Sequence, residues 1–179
     1  MVQTFTQKGD NILIQTPVYH PFRMTTENNE RNIVTNPLIN NEGVYTIDFE
    51  DFEQKAKDPR VTLCIFCNPH NPSGRVWSEE ELKRVGQICL DNDVMIISDE
   101  IHCDLLRNNK KHTPLAKLFP NTDKIITCMA PSKTFNMAGF MMSNVIIPND
   151  KIRSIYQERH YGFENPLSIA AAQAAYTSG

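Results

Sequence analysis

Short apolar runs alternate along this chain with amphipathic helical periods, and that alternation admits few folds. Val94-Met95-Ile96-Ile97-Ser98 is nearly all apolar, which is the pattern of a parallel strand covered on both faces. Residues 61–67 and 124–129 read the same way. Residues 11–15 form a first strand, opened by Gly9-Asp10 and closed by Pro17, and residues 31–35 form a second that ends before Pro37. Residues 144–147 give a further strand before Pro148. Asp48 caps a helix with Phe49, Phe52 and Ala56 on one face, and Pro59 stops it. Ser78-Glu79-Glu80-Glu81 has the form of a capping box, and Leu82, Val85, Gly86 and Cys89 recur behind it at helical spacing, predicting a helix to about residue 92. Helices over 150–161 and the alanine-rich 166–177 close the chain, and the residues before Gly9 read as the tail of a helix. The fold class is α/β, a three-layer sandwich with a mostly parallel sheet.

With 179 residues, 40% of them hydrophobic, the chain can bury one substantial core and reads as one domain. A formal charge of -3 gives no electrostatic reason to expect nucleic acid or an anionic membrane as partner. No apolar run approaches the roughly 20 residues that span a bilayer, and residues 1–8 lack the apolar stretch of a signal peptide. Five cysteines, an odd number, sit in or beside apolar segments, as buried free thiols do in a reducing compartment. These features describe a soluble, cytoplasmic protein with a small-molecule partner. Cys64-x-x-Cys67 invites a zinc or redox reading, yet positions three apart on a strand face opposite sides. A set of Cys67, His70, His102 and Cys103 lacks a second ligand pair of zinc type, so no metal is expected.

Ligands of open α/β sheets bind beyond the carboxyl ends of the strands. Three distinctive patches follow such ends here: Asn68-Pro69-His70-Asn71-Pro72-Ser73-Gly74, Asp99-Glu100-Ile101-His102, and Ala130-Pro131-Ser132-Lys133-Thr134-Phe135-Asn136. A carboxylate emerging from a buried strand, as Asp99 does, needs a cationic partner or several hydrogen bonds; a helix N-cap is the competing reading. Lys133 stands between a strand and the apolar stretch 137–140, where burial can deprotonate an amine enough to make it a nucleophile. Alone, it would read as an exposed loop lysine. His102, three residues after Asp99, is a candidate hydrogen-bonding partner for the same ligand, though a lone histidine is more often ordinary. Asn71 lies in a tight Pro/Gly turn and has an amide to donate. Tyr19, in Thr16-Pro17-Val18-Tyr19-His20-Pro21-Phe22, follows the first strand and offers a stacking face or a core aromatic. Ser132 offers a hydroxyl to an anion or simply to backbone. Met137, Met141 and Met142 read as core filler.

In order and spacing these patches, with Arg75-Val76-Trp77, Cys103-Asp104-Leu105, Met137-Ala138-Gly139 and Asn165-Pro166-Leu167-Ser168, resemble fold-type I pyridoxal phosphate enzymes. Within them the chain is similar to the class I/II aminotransferase superfamily and its MalY/PatB-type cystathionine β-lyase branch. The resemblance implies that pyridoxal 5′-phosphate is the cofactor, with Lys133 as the Schiff-base lysine, Asp99 on the pyridine nitrogen, Asn71 at the 3′-oxygen and Tyr19 stacked on the ring; by their own chemistry His102 could reach the same 3′-oxygen and the Ser132 hydroxyl the phosphate. Two departures stand out. Many aminotransferases carry a tyrosine where this chain has His102, and an arginine for the phosphate where it has Met141. The resemblance further implies that residues 1–179 are the central part of the cofactor-binding large domain. A preceding glycine-containing segment and a C-terminal small domain would lie outside it, so the segment alone is expected to be inactive. The implied activity is a C–S β-lyase that releases a thiol, pyruvate and ammonia from an amino acid thioether, in a homodimer. An aminotransferase is the alternative enzyme, and a regulatory protein-binding module the alternative of another class.

Overall fold

The computed structural model describes residues 1–107, 109–160 and 165–179. In chain order its elements are α1 (Val2–Phe5), β1 (Asn11–Thr16), α2 (His20–Asn28), β2 (Asn32–Pro37), β3 (Ile39–Asn41), β4 (Val44–Thr46), α3 (Phe49–Ala56), β5 (Val61–Cys67), α4 (Glu79–Asp91), β6 (Met95–Asp99), α5 (Leu115–Leu118), β7 (Ile125–Met129), α6 (Pro131–Thr134), a 3₁₀ turn (Ala138–Phe140), β8 (Asn144–Ile146), α7 (Asp150–Arg159) and α8 (Pro166–Ser178). Six strands form one sheet in the order β2-β1-β5-β6-β7-β8, all pairs parallel except β7 with β8, and β3 and β4 make a separate hairpin. After β1 the chain first steps outward to β2 and then returns to place β5 on the other side of β1. The carboxyl ends of β1 and β5 therefore flank the point where strand order reverses, the usual place for a ligand in such sheets.

Helices cover both faces, as the sequence predicts. On one, Leu13, Cys64, Phe66 and Ile96 pack against Phe52 and Ala56 of α3, Leu82, Val85 and Cys89 of α4, and Leu115 of α5. On the other, Ile12, Ile14, Leu63, Ile65 and Ile97 pack against Val2 of α1 and Phe22 of α2. Burial of this kind is worth roughly 1.5–3 kcal/mol per large side chain. The capping box at Ser78 is present in full: its hydroxyl accepts from Glu81 N–H while the Glu81 carboxylate accepts from Ser78 N–H. Asp48 caps α3 as expected. All five cysteines are free, and among the described residues no helix is long and apolar enough to cross a membrane.

Several boundaries differ from the sequence reading. The second strand runs through Pro37, which is tolerated because β2 lies at the sheet edge, where no neighbour requires the missing N–H. Residues 20–28, given no helix by the sequence, form α2; the usable signal was Pro21 in its first turn, but only Thr26 is fully buried, so no apolar stripe marks it. Lys133, expected in a loop, sits on the single turn α6, begun by Pro131. The expected end of the 150–161 helix at residue 161 lies outside the described residues.

Gly86 lies where α4 meets the ring of Phe119, and a methyl group there would come within 2.2 Å of that ring. Gly86→Ala is therefore expected to destabilise the fold by about 1–3 kcal/mol through overpacking, outweighing the ~1 kcal/mol helix-propensity gain. Urea unfolding measures this, and the same substitution in a Phe119→Leu background should cost less or turn stabilising.

Candidate active site

Strand register sets the centre of the site. Asp99, the last residue of β6, is paired with Cys67 at the end of β5 and with Cys128 near the end of β7. Its carbonyl accepts from Asn68 N–H at 2.9 Å, and Glu100 N–H donates to the Cys128 carbonyl at 2.8 Å, so the turns after β5, β6 and β7 are tied together at this level. The Asp99 side chain opens into a cleft of about 290 Å³ whose walls are largely apolar, among them Ile65, Ile97, Phe22 and Met129. Burial raises its carboxyl pKa above the usual carboxylate range; a hydrogen bond from Ile101 N–H at 3.2 Å and the nearby His102 only partly oppose this, and Glu100 adds to it. The competing expectation of a helix N-cap at Asp99 is not met, because residues 101–104 form a turn and no helix begins there. The Ile101 bond occupies one oxygen, and among the described residues no cation pairs with the carboxylate. The arrangement is complementary to a cationic N–H donor entering the cleft. Burial, reinforced by Asp99, pushes the flanking Cys67 and Cys128 thiols up to about 12, which keeps them neutral.

Lys133 is exposed on α6. It lies close enough to His102 to act on it electrostatically. Partial burial lowers the imidazole below its usual range, Asp99 opposes that shift and Lys133 adds to it, so His102 is neutral at neutral pH. A 2.8 Å hydrogen bond from the Thr134 hydroxyl to Asp104 pins α6 against the turn that carries His102. Ser132 is half-buried beside Lys133, and its carbonyl accepts from Met137 N–H. Tyr19 caps α2 at the end of β1, 46% exposed, with Phe22 meeting its ring edge-on at 5.8 Å. Met141, expected as core filler, is instead 92% exposed, in the left-handed conformation that ends the 3₁₀ turn.

Asn71 stands in a turn that the sequence singled out and whose internal bonding the structure supplies. His70 N–H donates to the Arg75 carbonyl and Gly74 N–H to that of His70, with Gly74 at φ +71°, where glycine carries no Cβ penalty. Behind the turn, Trp77 donates from its ring to the Cys67 carbonyl and Asn68 reaches the Thr113 carbonyl. Asn71 and His102 line a second and larger cleft of about 650 Å³. The structure thus brings Asn71, Asp99, His102, Ser132 and Lys133 to one end of the sheet. Asp99 opens into one cleft, Asn71 and His102 into another, and Lys133, Ser132 and Tyr19 line neither.

Sequence reasoning missed the support beneath the site. Glu100 is fully buried and accepts from the Ser98 hydroxyl, from Leu115 N–H and, at 2.6 Å, from His112 Nε2. It thereby anchors the chain returning through residues 112–115. His112 lies in a polar stretch without periodicity, so nothing local marks it.

The chain matches the family described as Aminotransferase class I and II over residues 1–179. It is 49% identical to cystathionine beta-lyase PatB of Bacillus subtilis, an alignment that covers 99% of this chain and 47% of that protein. Among solved structures, the pyridoxal-phosphate-bound C–S lyase of Staphylococcus hominis superimposes with a TM-score of 0.96 at 52% identity, covering 99% of this chain and 46% of that one. Cystalysin of Treponema denticola, which contains a pyridoxal 5′-phosphate cofactor, gives 0.91 at 41% identity, with 99% and 47% covered. The chain spans about half the length of the relatives it matches.

A raised Asp99 pKa means that the fold holds this proton more tightly than the unfolded chain does. As pH rises from the ordinary carboxylate range to the raised value, the unfolded chain binds fewer protons and stability falls. Asp99→Asn removes that loss, so the ligand-free variant should melt above the wild type at neutral pH. The gap should close on acidification below the ordinary carboxylate range. Thermal melts across pH check this, and a neutral-pH destabilisation would contradict it.

Proposed function

We propose, because the chain belongs to the class I and II aminotransferase family, that the complete protein is a pyridoxal 5′-phosphate-dependent C–S β-lyase. Its substrate would be a small amino acid thioether and its products a thiol, pyruvate and ammonia. The observation that carries this reading is Asp99, a buried carboxylate at the end of a central parallel strand with no cationic partner among the described residues. We read residues 1–179 as the central part of the cofactor-binding large domain of a cytoplasmic homodimer. The five free cysteines support the compartment, and the share of each relative that is matched supports the domain assignment.

The residues present fit the cofactor. Asp99 would take the pyridine nitrogen and hold its proton there, because a cation in that apolar cleft is stabilised by the carboxylate and relieves the cost of burying it. Neutral His102 and the Asn71 amide would hydrogen-bond the 3′-oxygen, Tyr19 would stack on the ring, and the Ser132 hydroxyl would serve the phosphate. The cofactor supplies an electron sink for the charge left on the substrate α-carbon. Lys133, exposed on its turn, is the residue that would hold the cofactor at rest, and its Nζ would then take the substrate α-proton as general base. Departure of the thiolate from the β-carbon, followed by hydrolysis, gives pyruvate and ammonia. The PatB and C–S lyase relatives and the two departures at His102 and Met141 favour this outcome over transamination.

The complete protein, loaded with cofactor, should form pyruvate from cystathionine without any keto-acid acceptor, and Lys133→Ala should lower that rate by at least about a hundredfold. A requirement for a keto acid, with accumulation of pyridoxamine phosphate, would assign the protein to transamination instead. Retention of a cellular regulatory effect by the inactive variant would point to a binding module.

A further inference from the structure

The turn that carries Asn71 holds a buried histidine that the proposed chemistry does not use. His70 is 2% exposed. Its ring Nδ1 lies 2.8 Å from the Ser73 hydroxyl oxygen, a side-chain bridge over the two residues between them, Asn71 and Pro72. Two backbone bonds close the same turn: His70 N–H donates to the Arg75 carbonyl at 2.7 Å and Gly74 N–H to the His70 carbonyl at 2.8 Å. The Ser73 oxygen accepts from Arg75 N–H at 3.4 Å, which leaves the hydroxyl proton for Nδ1. Burial pushes the imidazole down to about 4, so at neutral pH the ring is neutral and can accept from that hydroxyl.

The ring rests on a fixed wall. Trp77, also 2% exposed, packs edge-to-face with it at 5.7 Å. Arg75 sets its guanidinium 4.9 Å from the centre of the Trp77 ring and bonds Glu81 at 2.6 Å, and Glu81 also closes the capping box of α4. The turn is thus braced against the start of a helix. One atom of the ring works against stability: Nε2 is buried with no hydrogen-bond partner among the described residues. A phenylalanine would pack against Trp77 without that penalty. What the histidine adds is the bond to Ser73, and the backbone which that bond restrains includes Asn71.

We propose that His70 is a positioning residue for the cofactor, closing the turn with Ser73 so that the Asn71 amide is held at the 3′-oxygen. The role of Asn71 at the 3′-oxygen rests on the proposed function; the closure of the turn does not. The complete protein is therefore tested both without and with cofactor, in three variants. His70→Phe keeps a ring against Trp77 but cannot bond Ser73, Ser73→Ala removes the bond from the other side, and His70→Asn keeps a hydrogen-bonding group where Nδ1 stood.

Without cofactor, hydrogen exchange at the amides of residues 70 and 74 should quicken about tenfold in His70→Phe and Ser73→Ala and stay near the wild-type rate in His70→Asn. Unchanged exchange in the first two would overturn the closure and the proposal with it. With cofactor, the pKa read from the visible absorption of the bound cofactor should rise by about one unit in Asn71→Ala, because an N–H donor at the 3′-oxygen favours its deprotonated form. His70→Phe should move that pKa the same way by a comparable amount, His70→Asn should leave it in place, and the double variant His70→Phe/Asn71→Ala should match Asn71→Ala alone. No shift in His70→Phe, or one that adds to the Asn71→Ala shift in the double variant, would overturn the positioning role. Should exchange quicken as expected while Asn71→Ala leaves the titration unmoved, the closure stands but the placement of Asn71 on the cofactor falls, and the positioning role with it.

Discussion

Everything at the functional end of this molecule depends on one electrostatic constraint, the burial of the Asp99 carboxylate at the end of a central strand. Three parallel strands in register carry it there: β6 lies between β5 and β7, so its last residue has Cys67 on one side and Cys128 on the other, with neither thiol able to supply a charge. A fold optimised for stability alone would place a neutral side chain at this position. The carboxylate makes sense as one half of an ion pair whose other half arrives with a ligand.

The adjacent residue shows what a carboxylate placed for the fold looks like. Glu100 is also buried, yet it accepts three hydrogen bonds, from Ser98, His112 and Leu115, and uses them to anchor the loop that leads into α5. Asp99 accepts one, from its own turn. Two neighbouring acidic residues on one strand end thus divide the work: one holds the loops in place, the other is left available. The same division recurs across the site. Thr134 and Asp104 pin the short helix that carries Lys133, while Lys133 itself stays exposed. Trp77 and Asn68 brace the turn that carries Asn71.

Much of this was legible in the sequence because its physics is local. All-apolar runs marked β5, β6 and β7, the capping box marked α4, and the position of Asp99, Asn71 and Lys133 just after strand ends followed from those elements. Helix α2 was not legible, since a single buried position leaves no periodic stripe, and neither was the extension of β2 through Pro37, which depends on its being an edge strand. The Glu100–His112 pair was not legible for another reason: it arises from where the chain at residues 112–115 returns in space, and a linear pattern carries no trace of that return. The separation of the site residues between two clefts is likewise a property of the folded surface.

On the proposed reading, Asp99 is buried in order to hold a proton on the cofactor's ring nitrogen. The nitrogen-15 chemical shift of pyridoxal phosphate labelled in its ring, bound to the complete protein, reads that proton directly. A protonated nitrogen is expected in the wild type throughout the neutral range, with loss of that proton in Asp99→Asn. An unprotonated nitrogen in the wild type, or one that stays protonated in the variant, would contradict it.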